Sequence, residues 1–130
     1  KLKMQDRYTF KYAIIRLVPK VEREEFFNVG VILFCKRIKF LDIKYQIDPD
    51  KLKAFAPEIE EDIINDYLKA WKLICDGNAS GGPIGKLDLP DRFGWLTACR
   101  STIIQSSTTR SGLSFEPKKE LEDIFNKYVL

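Results

Sequence analysis

The chain reads as an α+β protein: a mainly antiparallel sheet of three to five strands with helices packed on one face. Three observations predict this. The first third carries three β-prone runs, Tyr8–Val18, Val29–Cys35 and Phe40–Ile47. Helical periodicity takes over after Asp48. Strands grouped ahead of helices favour α+β, whereas parallel sheets alternate strand with helix. The length of 130 residues suits one domain, so residues 1–130 are expected to form a single unit.

Taken in order, Tyr8, Phe10, Tyr12, Ile14, Arg16 and Val18 share one face of the first run by the period of two. Ala13, Ile15 and Leu17 load the other face. A strand apolar on both faces belongs in the middle of its sheet, and Val29–Cys35 has the same character. Lys36-Arg37-Ile38-Lys39 reads as a tight basic turn. In the third run, Leu41, Ile43, Tyr45 and Ile47 alternate with Asp42, Lys44 and Gln46, as in a half-exposed strand.

Asp48-Pro49 opens a helix, because Asp can accept from free backbone N–H groups and Pro suits the first helical position. Pro57 opens a longer one. Ile59, Ile63, Tyr67, Trp71 and Ile74 recur every three or four residues, which predicts one buried stripe. Gly77 ends it. The Gly-rich stretch Gly77–Lys86 predicts a flexible loop over about 77–90. Asp91 is placed to cap a short helix carrying Phe93, Trp95 and Leu96. Thr102–Ser107 is β-prone, Thr108–Gly112 reads as a turn, and a last helix from Pro117 presents Leu121, Ile124, Phe125 and Tyr128.

Composition narrows the function classes. Nine Phe, five Tyr and two Trp rule out a disordered chain. The net charge of +3 is too small to signal nucleic-acid binding by itself. No apolar run nears the roughly 20 residues that span a bilayer, so no membrane association is expected. Three Cys at 35, 75 and 99, odd in number and far apart, read as free thiols of a cytoplasmic protein. Met4 sits where a natural start would fall. With no His, neither a Ser-His-Asp nor a Cys-His site can be built from this chain. The Cys spacing lacks the short paired interval of a zinc site, so neither metal nor cofactor is expected. Gly85-Lys86 lacks the remaining phosphate-loop residues: Ser80 and Leu87 stand where Gly and Ser or Thr are required.

Four polar constellations remain. Asp42-Ile43-Lys44, with Glu24 or Glu25 from the preceding connection, has the residue types of a divalent-metal phosphodiesterase site. That reading requires the Asp42 and Glu25 carboxylates to share an ion, hence to lie about 5–6 Å apart. Lys36, Arg37 and Lys39, with Lys11, form a basic patch, which leaves nucleic-acid binding open. Arg16, on an apolar strand face, should find a carboxylate, and Glu22, Glu24 and Glu25 are nearest in sequence. Together with Arg23, Asn28 and Gly30 it makes the connection between the first two strands unusually polar. Arg100, Ser101 and Arg110 form a second polar cluster suited to an anion or a carboxylate-bearing partner.

The run from Tyr12 to Cys35, YAIIRLVPKVEREEFFNVGVILFC, resembles the opening signature of a bacterial family known as domain of unknown function three thousand and thirty-seven. The matching residues are Arg16, Pro19, Arg23-Glu24-Glu25-Phe26 and Asn28-Val29-Gly30-Val31. WLTACRSTIIQSSTTRSGL and the Leu-Glu-x-Ile-Phe helix after it are similar to the family's second half. The resemblance implies a bacterial, cytoplasmic protein in a toxin–antitoxin-like context, with a kinase-like partner resembling HipA-type toxins. It carries no catalytic residues. The leading expectation is therefore a non-enzymatic interaction module. The alternatives are the metal-dependent phosphodiesterase using Asp42, Lys44 and Glu25, and a nucleic-acid-binding module.

Overall fold

The fold is organised around β1 (Tyr8–Leu17) and β2 (Phe27–Cys35), the two runs apolar on both faces, which pair antiparallel at the centre of one sheet. The computed structural model describes residues 7–77, 81–100 and 102–130. The expected Met4 start, loop residues 78–80 and Ser101 lie outside them. β3 (Phe40–Tyr45) pairs with the far edge of β2. On the other side of β1 lie β4 (Ile104–Ser106) and β5 (Arg110–Ser114), each antiparallel to it. The strand order is β3-β2-β1-β4, with β5 pairing further along β1. The α+β class is the one the sequence predicts, and the five antiparallel strands fall within the expected three to five, although β5 is not among the expected runs.

β4 and β5 act as one interrupted edge strand. The turn expected at Thr108–Gly112 is shorter, and β5 occupies its second half. At the interruption Ser107 donates its backbone N–H to Ile14 O (2.8 Å), and its Oγ accepts from Ile14 N (2.9 Å). A hydroxyl thus stands where a strand carbonyl would have been, which keeps the ladder satisfied across the break.

Helices cover both faces, not one. α1 (Pro49–Phe55), α2 (Glu61–Asp76), α3 (Gly82–Gly85) and α4 (Leu89–Leu96) follow β3, and α5 (Pro117–Tyr128) follows β5. Ala13, Ile15, Leu17, Ile32 and Phe34 pack with Leu52 of α1, Ile64 and Leu68 of α2 and Phe93 of α4. Phe10, Val31, Leu33 and Cys35 pack instead with Leu121, Ile124 and Phe125 of α5. The reason is the two-sided apolarity of β1 and β2: one helical layer leaves half of that surface in water, at about 25 cal/mol per Å².

Asp48 caps α1, its side chain accepting from the Asp50 and Lys51 N–H groups, as the sequence predicts. Gly77 ends α2 with φ of 71°, in the left-handed region. The stripe of α2 is rotated from the expected one. Ile64, Leu68, Trp71, Ile74 and Cys75 are buried, whereas Ile63 is 52% exposed. The predicted loop carries α3 and the start of α4, whose N-cap position is Asp88, not Asp91.

Candidate functional site

β1 and β2 position the polar connection at one rim of the sheet. An irregularity between Ile15 and Arg16 shifts the register, so Ile15 faces Gly30 while Arg16 faces Asn28. An extra residue in one strand re-aims the side chains around it. Arg16 also sits across from Gln105 of β4. Asn28 donates from Nδ2 to Tyr128 O at the end of α5 (3.0 Å). Arg16, Asn28 and the end of α5 therefore share one corner.

The carboxylate expected for Arg16 is absent from its surroundings. Its guanidinium carbon lies 4.2 Å from the centroid of the Phe26 ring, a cation–π stack. Its Nε is buried and has no hydrogen-bond partner. Among the described residues no carboxylate forms an ion pair with it. Glu25 pairs with Arg23 instead, and both are largely exposed. Glu22 and Glu24 are exposed too, and Glu24 takes φ of 55°. Pro19, Lys20, Arg23, Glu25, Phe55 and Pro57 line a cleft of about 240 Å³. The expected ion-paired crossover is thus replaced by an arginine on an aromatic plate. Phe26 stands in the family signature, but nothing in the alternation of residues assigns it to Arg16.

The Asp42–Lys44 pair is used to hold helices. Asp42 accepts from Lys72 Nζ of α2 (2.6 Å) and from the Ile43 N–H (2.8 Å). Lys44 pairs with Glu122 of α5 and lies 4.9 Å from the Phe125 ring centroid. The polar face of β3 is thus half-exposed, as predicted, with Asp42 tied to α2 and Lys44 to α5. Asp42 stands opposite Leu33, and Glu25 precedes the Phe27 end of β2. At the rise of a strand their backbones are roughly 20 Å apart, too far to share an ion. Among the described residues no three His, Cys, Asp or Glu side chains group to hold a metal.

The second predicted cluster does not assemble. Arg100 lies over the Trp95 ring (4.0 Å) and donates to Trp95 O, beside α2. Arg110 is exposed in β5, across from Tyr12. Ser101 is outside the described residues. Arg16 and Arg100 therefore serve different surfaces. Lys36, Arg37 and Lys39 do form an exposed turn, with Arg37 5.2 Å from the Tyr8 ring.

A family model described as a protein of unknown function, DUF3037, matches residues 12–129. The chain belongs to the DUF3037 family. No curated protein and no solved structure matches it. Nearly the whole described fold of this DUF3037 chain, from within β1 to the end of α5, lies inside the match. Among the described residues, no helix is long and apolar enough to cross a membrane.

One electrostatic cluster in the DUF3037 chain sets a pH dependence. Burial disfavours charge on Lys72, but hydrogen bonds to Asp42 and Asp76 outweigh it and raise its pKa above 10.5. Burial pushes the Cys75 thiol up from 9.0 to about 12, and Asp42 adds to this. Both groups hold their protons more tightly folded than unfolded. The Cys75 contribution is complete below about pH 9 and is lost as pH rises to about 12, whereas that of Lys72 is lost only above 10.5. Cys75 alone accounts for as much as about 4 kcal/mol of that loss. Urea unfolding at increasing pH should show stability falling above about pH 9. Cys75→Ala should fall less steeply; identical slopes would sink the assignment.

Proposed function

We propose that this chain is a non-catalytic interaction module whose Arg16–Phe26–Asn28 rim receives an acidic group from a protein partner. The observation that carries the reading is Arg16 itself: Nε buried without a hydrogen-bond partner, guanidinium stacked on a Phe26 that is 45% exposed. Nε itself is closed to solvent, so a carboxylate arriving from outside would meet the other guanidinium N–H groups. The fork of Arg suits a carboxylate, and the Phe26 plate offers apolar contact beside it. Asn28 ties the rim to the end of α5 through its side-chain amide. The family resemblance supplies the kind of partner, a kinase-like protein of the HipA type.

Calorimetric titration of a purified kinase-like partner tests this. Arg16→Ala and Phe26→Ala should each weaken binding at least about tenfold, a loss near 1.4 kcal/mol. Arg16→Lys should not rescue it, because an ammonium lacks the planar fork. Lys36→Ala, on the far basic turn, should leave affinity unchanged. Equal affinities across the rim variants would remove this surface from the interaction. An inert wild type would remove the kinase-like partner.

A further inference from the structure

The edge segments of the sheet are finished differently. In an antiparallel ladder, alternate residues bond to one neighbouring strand and the next ones turn their N–H and C=O the other way. At the β3 edge the outward Ile43 N–H is taken by Asp42 Oδ1 (2.8 Å), which Lys72 of α2 holds. At the β4 edge the outward Ile104 carbonyl accepts from Thr102 Oγ1 (2.6 Å). β5 has no such cover. The bonds of Ser107 to Ile14 O and of Val18 to Ile103 O show that even-numbered residues of β1 face this side. Phe10 therefore bonds Gly112, and Ser111 and Leu113 turn both backbone groups outward. Those groups have no hydrogen-bond partner among the described residues. β5 also holds neither Pro nor Lys, which ordinarily deter strand pairing. Instead Leu113 is 54% exposed, and Phe115 just beyond it 46%. An uncovered edge carrying large apolar side chains is a template for another strand.

We infer that this edge pairs with β5 of a second copy of the chain, antiparallel about a twofold axis through Leu113. The residues along the edge select both occupant and register. Leu113 then exchanges both backbone hydrogen bonds with the second copy's Leu113, and the two side chains, directly opposite on one face, cover each other. Ser111 comes opposite the second copy's Phe115 on that face, small against large. On the other face Arg110 comes opposite the second copy's Glu116. Both are exposed, and neither forms an ion pair among the described residues. Opposite charges directly across a strand pair attract, and like charges repel. Moving the axis to Ser111 sets the two Arg110 on one diagonal, so charge disfavours that register. Leu113, Phe115 and Glu116 line a cleft of about 350 Å³ at this end of the edge, which gives the incoming side chains room. Each copy presents the same residues, as a twofold interface requires. The contact lies at the Tyr8 end of β1, away from the Arg16 rim, and is independent of it.

The test is the mass of the full chain by light scattering over a dilution series up to about 100 µM, the range of a weak, small interface. Twice the 15.1 kDa of one chain is expected at the top of the series. Over the same series, hydrogen exchange read by NMR should slow at the Ser111 and Leu113 amides as concentration rises. Leu113→Lys should weaken the dimer at least about tenfold with unchanged Tm, since the side chain is exposed in the monomer. Arg110→Glu should weaken it as well, and Glu116→Arg added to Arg110→Glu should restore it. A monomeric wild type overturns the inference, including the case in which those two amides slow only on adding a different protein. A dimer indifferent to Leu113→Lys, or one whose Ser111 and Leu113 amides exchange as fast as in the monomer, places the contact elsewhere and overturns it too.

Discussion

Gly30→Ala should lower stability by about 3 kcal/mol, the upper end of overpacking, and Tm by roughly 10 °C. Gly30 sits in β2 between Ile15 of β1 and Tyr45 of β3. A methyl there would lie 2.8 Å from the Lys44 carbonyl oxygen and 3.0 Å from Tyr45 Cβ. The first of these is backbone and cannot rotate aside. The β2–β3 spacing must open, and with it the clamp through which Asp42 and Lys44 hold α2 and α5. Chemical unfolding followed by circular dichroism measures the loss. A cost below about 1 kcal/mol would show that the sheet edge yields freely.

Arg92→Met should cost a similar amount, about 3 kcal/mol, through the end of α2. Arg92 donates from Nη1 to Ile74 O (3.0 Å) and Cys75 O (2.9 Å), and from Nε to Leu87 O (2.9 Å). The Ile74 and Cys75 carbonyls close α2, whose dipole is negative at that end, so the guanidinium serves both as donor and as counter-charge. Removing it takes a donor from the partly buried Ile74 and Cys75 carbonyls, of which Ile74 O keeps the Gly77 N–H, and from the exposed Leu87 carbonyl. Arg92→Lys should recover part of the loss, since charge remains while the fork is gone. The next residue, Phe93, stacks on Phe34 with centroids 5.3 Å apart, so α4 ties α2 to the sheet through adjacent side chains. Unfolding that is unchanged in Arg92→Met would show the carbonyls to be hydrated without cost.

Local features were legible because their causes are local. The Asp48 cap, the Gly77 stop, the basic turn and the alternation of β3 depend on residues within a few positions of each other. The two-sided apolarity of β1 and β2 was legible as well, and it already required a second helical layer that the sequence reading did not assign to α5. The stripe on α2 was misplaced by about one residue because the helix carries two apolar seams side by side. Periodicity alone cannot choose which of them meets the sheet. β5 was read as turn because Arg110-Ser111-Gly112 has turn chemistry, and pairing with Tyr8–Tyr12 overrides that preference.

The candidate site divides the same way. From its residues alone the chain determined an α+β fold, a polar crossover carrying the DUF3037 signature, and an arginine that needed a partner. Only the tertiary structure decided that the partner is Phe26 and not Glu22, Glu24 or Glu25, and that Asp42 and Lys44 belong to helices on opposite faces. The physical reason is that charge pairing is settled by position in space over a few ångströms, with Lys72 and Glu122 arriving from helices 30 and 78 residues away in sequence. Composition and spacing supply the charges; the register of β1 on β2 and the docking of α2 and α5 choose which of them meet.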